Sequence, residues 1–122
     1  MDADQITQEI IGAAFEVTNT LGCGFAEKVY ERALVEELRT RGLRVKAQAS
    51  FRAKYKGKPV GEYFADLVVE EEIVVELKCA ENLAREHLAQ CINYLKASDL
   101  KVALLLNFHR PKLEWRRIVN NY

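Results

Sequence analysis

The spacing of apolar residues along the chain alternates between three-to-four and two, and each change of period marks an element. Ile6, Ile10, Ala13, Ala14, Val17 and Leu21 predict a helix with one buried face, with Asp4 placed to cap it and Gly22-Cys23-Gly24 to break it. Val29, Tyr30, Ala33, Leu34 and Leu38 predict a second helix from about Ala26 to Thr40, stopped by Gly42. The period then becomes two. Val45, Ala47, Ala49, Phe51, Ala53 and Tyr55 fall on one side of a half-exposed strand bent near Ser50, and Lys46, Gln48, Arg52, Lys54 and Lys56 on the other. A turn at Lys56-Gly57-Lys58-Pro59, a strand over Tyr63–Val69, a connection at Glu70-Glu71-Glu72 and a strand over Ile73–Cys79 complete a three-stranded meander. Leu83, Leu88, Ile92 and Leu95 predict a helix from Glu81 or Asn82 to about Ala97. The nearly all-apolar run Lys101–Asn107 predicts a strand covered on both faces, and Trp115–Val119 a short edge strand.

A chain of 122 residues is expected to form one domain, residues 1–122, able to fold without staples. No apolar stretch approaches the roughly 20 residues of a membrane span, and the N-terminus is acidic where a secretory signal is basic, so the expected compartment is the cytoplasm. Cys23, Cys79 and Cys91 lack paired C-x-x-C spacing and are expected to be reduced thiols, the last two as small hydrophobes. Net charge is zero, which removes any whole-chain case for polyanion binding, yet the charges are segregated. Arg41 through Gly61 holds seven basic residues and no acid, whereas Glu62 through Glu81 holds seven acids and one base, Lys78.

The informative charges are those inside apolar strands. Alternation sends Glu76 and Lys78 out of one face while Val75, Leu77 and Cys79 leave the other. If Val69 pairs with Ile73, Asp66 stands opposite Glu76. Facing carboxylates repel unless a positive group lies between them, and a divalent cation meets that need.

Asp66, Glu76-Leu77-Lys78 and the order of elements around them resemble the PD-(D/E)XK nuclease superfamily. Gly24, Glu27 and Tyr30 match the G-x-x-E-x-x-Y signature of its GxxExxY proteins. The resemblance covers essentially the whole chain, with Ala65 in place of the superfamily's nominal proline before Asp66. It implies an α/β, restriction-endonuclease-like fold with an αβββαβ core, a central mixed sheet flanked by helices. It also implies a Mg²⁺-dependent (or Mn²⁺-dependent) nuclease acting on DNA, with RNA not excluded, in which Asp66, Glu76 and the Leu77 carbonyl hold the ion and Lys78 serves the attacking water.

Further candidates carry two readings each. Glu27 approaches the site in the resembled family, as a catalytic residue and an additional ligand; otherwise it is an exposed glutamate favoured by a helix N-terminus. Gln90 and Tyr94, spaced i, i+4 with His87 on the same face, match a Q-x-x-x-Y pattern beside the active strand, Gln90 as a catalytic residue and Tyr94 as a contact to the nucleic-acid backbone; otherwise they form a polar seam, the preferred reading for His87. Arg52, Lys54, Lys56 and Lys58 form either a nucleic-acid-binding ridge, extended by Arg116 and Arg117, or a solvated face without interleaved aromatics. So small a chain would need a homodimer or a partner protein for target specificity. The rival to the enzyme is a catalytically silent nucleic-acid-binding or assembly module, and the blandest alternative is a structural ion pair of Glu76 with Lys78.

Overall fold

The described residues, 1–120 of a computed structural model, form three helices and a five-stranded mixed sheet in the predicted order. These are α1 (Ala3–Leu21), α2 (Glu27–Thr40), β1 (Val45–Tyr55), β2 (Lys58–Val69), β3 (Ile73–Lys78), α3 (Arg85–Ser98), β4 (Val102–Asn107) and β5 (Glu114–Val119). The strands lie side by side in chain order, antiparallel except for β3 and β4, whose parallel pairing requires the crossover that α3 supplies. The odd-numbered apolar residues of β3 and the even-numbered ones of β4 pack under α1 and α2, and their alternates pack under α3. All six residues of β4 are buried, as the unbroken apolar run predicts, and each of its leucines contributes about 1.5–3 kcal/mol by leaving water.

Helix α1 is capped by Asp2 in place of the expected Asp4. The Asp2 carboxylate accepts the Gln5 N–H at 2.9 Å and the Gln5 side chain accepts the Asp2 N–H at 2.8 Å. A reciprocal cap needs an amide or acid three residues on, which Asp2 has in Gln5. Helix α3 begins at Arg85, later than expected, where His87 Nδ1 accepts the Ala84 N–H at 3.0 Å. That bond gives His87 a structural task.

The larger difference lies in the ribbon of β1 and β2. β2 pairs with β3 only from Leu67 to Val69, so most of the ribbon runs past the end of that pairing. Val45 and Leu67 pack with the α1–α2 core, but Ala49 and Ala65 pack with the α3 core. The apolar set expected on one side of β1 is therefore divided. Gln48, at φ 52°, lies in the left-handed region and interrupts the ladder in the row it shares with Asp66, and the alternation changes faces there. A second register shift falls between Ala53 and Lys54.

Candidate active site

Where β2 parts from β3, side chains replace the missing ladder bonds. The Asp66 N–H donates to Glu76 Oε1 at 3.0 Å, and the Leu77 N–H donates to Asp66 Oδ2 at 2.8 Å. Each carboxylate is thereby fixed by one main-chain amide, and the two carboxyls also engage each other by a side-chain hydrogen bond that favours a proton between them. Glu76 is 2 % exposed and Asp66 half-buried. Burial, then the charge of Asp66, pushes the Glu76 carboxyl up to about 8, against the opposing pull of the Asp66 N–H and Lys78. The facing acids expected from the turn register are present, and they hold a proton that a cation could replace.

Lys78, half-buried at the end of β3, shares the Glu76 face by alternation and acts electrostatically on both Glu76 and Glu27. Glu27 is exposed in the first turn of α2. Its carboxyl is nonetheless crowded by protein, and desolvation followed by the charge of Asp66 raises its pKa, while Lys78 and the Cys79 main-chain N–H pull the other way. Among the described residues no group of three or more His, Cys, Asp or Glu side chains is arranged to hold a metal ion, so Glu27 stands beside the acid pair without completing a three-acid cluster.

The G-x-x-E-x-x-Y spacing has a physical basis. Tyr30 is fully buried, stacked on Phe108 with ring centroids 4.9 Å apart, and its hydroxyl donates to the Gly22 carbonyl at 2.6 Å and accepts the Phe25 N–H at 3.3 Å. Gly24 takes φ 106°, a conformation that side chains resist. Together they pin the α1–α2 loop from both ends, which fixes the helix turn that carries Glu27.

On the other side, α3 brings Gln90 and Tyr94 alongside. Gln90 Nε2 donates to the Tyr94 hydroxyl at 3.1 Å, and Tyr94 stands edge-on to Tyr63 at 5.8 Å. Tyr94 is 4 % exposed: its ring belongs to the α3 core, and its hydroxyl accepts the Gln90 amide. Burial, then Glu76 and Asp66, pushes the Tyr94 phenol up to about 12; the same causes act on Cys91, also pushed up to about 12, which is buried as the hydrophobe expected.

The basic residues do not form the continuous strand-face ridge that alternate spacing predicts. Lys56, at φ 49°, sits with Gly57 in the turn, Lys58 begins β2, and the register shift places Lys54 opposite Pro59. Arg52, Lys54, Lys56 and Lys58 instead surround the outer part of the ribbon. Arg116 and Arg117 lie on β5, across the sheet from β1, with Arg117 paired to Asp4 at 2.8 Å, and do not extend the group. Aromatic residues do accompany it, since Tyr55, Tyr63 and Phe64 are all exposed.

Three polar residues were not singled out from sequence. Asn107, 2 % exposed, accepts the Ala80 and His109 N–H groups and donates to the Ala80 carbonyl and Glu114, anchoring the segment that leaves Lys78. Glu31 is buried beneath Lys28 and Gln48, at 2.8 and 3.0 Å. A polar residue ending an apolar strand was the only mark of Asn107, and nothing in spacing pairs Gln48 with Glu31.

A family model described as the PD-(D/E)XK nuclease superfamily matches residues 4–118. The chain belongs to that superfamily. No curated protein matches the sequence. Among solved structures, the crystal structure of SSO0001 resembles this PD-(D/E)XK chain with a TM-score of 0.62 at 17 % identity, covering 78 % of this chain and 50 % of that one. The chain thus spans half the length of that protein, and the likeness is one of fold. No helix among the described residues is long and apolar enough to cross a membrane.

Proposed function

We propose that this member of the superfamily is a metal-dependent nuclease of the GxxExxY type, hydrolysing phosphodiester bonds of nucleic acid, with DNA as the first substrate to test. Residues 1–122 form one nuclease-like domain in this reading, and the cytoplasm is its compartment. The observation that carries it is the Asp66–Glu76 pair, two carboxylates tied to each other's strand with Lys78 on the same strand as Glu76. Burying two facing acids is costly without a counter-charge, and the raised Glu76 pKa expresses that cost. The donor set fits Mg²⁺ or Mn²⁺, which need only one or two carboxylates from protein: Asp66, Glu76 and the Leu77 carbonyl would hold the ion. When bound, such an ion polarises a phosphate oxygen and acidifies water.

The chain's own residues do the remainder. The ammonium of Lys78 orients the attacking water and offsets charge on the transferring phosphate. Gln90, held by Tyr94, offers its amide to the substrate side of Lys78, and Glu27 tunes the field from α2. The test assays plasmid, linear and single-stranded DNA and RNA with added Mg²⁺ or Mn²⁺, beside Asp66→Asn, Glu76→Gln and Lys78→Met. Metal-dependent cleavage lost in all three variants supports the enzyme; cleavage that survives them, or none in the wild type, rejects it. A second reading, a binding module without hydrolysis, predicts metal-independent nucleic-acid binding with no cut product.

A further inference from the structure

The outer β1–β2 ribbon carries side chains that the acid site leaves unused. Ser50 pairs with Phe64 and Arg52 with Glu62, so these four share one ribbon face. The opposite face is taken: Ala49, Phe51 and Ala65 pack with the α3 core, and Tyr63 meets Tyr94. Phe64 is 52 % exposed on its open face, while Tyr55, which alternation puts on the Phe51 side, is 63 % exposed near the tip with the Lys56 ammonium 5.3 Å from its ring centroid. Between Ser50 and Phe64 the ribbon holds Arg52, Lys54, Lys56 and Lys58 against one acid, Glu62. Among the described residues no carboxylate forms an ion pair with any of these four bases.

We infer that this face is a stacking platform for an unpaired stretch of nucleic acid, with Phe64 meeting a base and Arg52 and the cations around the ribbon tip meeting phosphates. Aromatic rings beside cations on an open strand face are what sequence-tolerant single-strand binding requires. An exposed ring stacks on a base only where that base has left its own stack, so a ring on this face selects unpaired strands. Continuity gives the strand a destination. Phe64 is two residues before Asp66 on β2, about 7 Å along an extended chain, close to one nucleotide step. The platform rests on the nuclease reading for that destination, and it narrows the substrate to single strands or to the unpaired parts of branched ones.

The test measures fluorescence anisotropy of labelled oligothymidylate and of a duplex of equal length, in chelator to prevent turnover. A second single strand carrying aminopurine, whose emission is quenched on stacking, reports ring contact. Phe64→Ala, at an exposed position, is expected to weaken single-strand binding by about fivefold or more and to relieve the quenching, leaving duplex binding unchanged, whereas Tyr55→Ala on the other side of the ribbon is expected to leave the quenching in place. Arg52→Ala is expected to weaken both and to flatten the salt dependence. Wild-type affinity and quenching in Phe64→Ala overturn the platform, as does a duplex that competes equally with the single strand. Sedimentation showing a dimer that Phe64→Ala dissociates also overturns it, by assigning the face to a second copy. Asp66-dependent cleavage indifferent to Phe64 sinks the platform alone; Phe64-dependent binding with no metal-dependent cleavage sinks the nuclease reading alone.

Discussion

Glu76 accepts the N–H of Asp66 at 3.0 Å, so the residue whose charge raises the Glu76 pKa also holds its carboxyl in place. The proton on Glu76 is bound more tightly in the folded chain, at about 8, than at the ordinary carboxyl value of 4.5. In metal-free protein its contribution to stability is full below the lower value, declines as pH rises between the two, and is gone above the higher one. Thermal melts across that window should show a loss on the order of a few kcal/mol, which Glu76→Gln flattens. Added Mg²⁺ or Mn²⁺ should raise the melting temperature most at the alkaline end, where ion and proton no longer compete.

Asp66→Ala and Asp66→Asn should separate folding from chemistry. Alanine leaves the N–H of the buried Leu77 without its acceptor, a loss of about 1–3 kcal/mol, whereas asparagine keeps an oxygen at that position. Chemical denaturation should rank Asp66→Asn near wild type and Asp66→Ala well below it. Both should lose metal-dependent cleavage, on the order of 100-fold or more.

Tyr30→Phe keeps the stack on Phe108 but removes both hydroxyl bonds to the α1–α2 loop. Stability should fall by about 1–2 kcal/mol, measured by denaturant unfolding. Hydrogen exchange should rise over Gly22–Ala26, the segment that leads into Glu27, before it rises elsewhere.

Asn107→Leu replaces a buried hub with an apolar side chain of similar size and leaves the Ala80 amide and carbonyl unpaired. A loss of about 2–4 kcal/mol is expected in thermal or denaturant melts. Because Ala80 follows Lys78 by two residues, cleavage should fall further than the unfolded fraction accounts for.

Much of the frame was legible because periodicity is physical. The Val69–Ile73 pairing follows from two apolar runs and the acidic connection between them, and it alone puts Asp66 across from Glu76. The change of faces at Gln48 was not legible, since a left-handed glutamine leaves no compositional trace of the kind glycine leaves. That one dihedral divided the expected apolar face of β1, while the turn at Lys56 and the register shift after Ala53 dispersed the expected basic ridge. Tyr94 shows the limit of spacing: i, i+4 correctly paired it with Gln90, but whether the ring met solvent depended on Tyr63, which lies far away in sequence.

β4 contains no group proposed to act in the chemistry, yet it runs parallel to β3 with Lys78 beside Asn107. Losing or gaining a single residue within Val102–Leu106 would rotate Asn107 to the wrong side of the sheet and unhook Ala80. Drift in length should therefore be barred from this inner strand and permitted in the Lys56–Gly57 turn, so the chain's tolerance to insertion is set by a segment remote from any reacting atom.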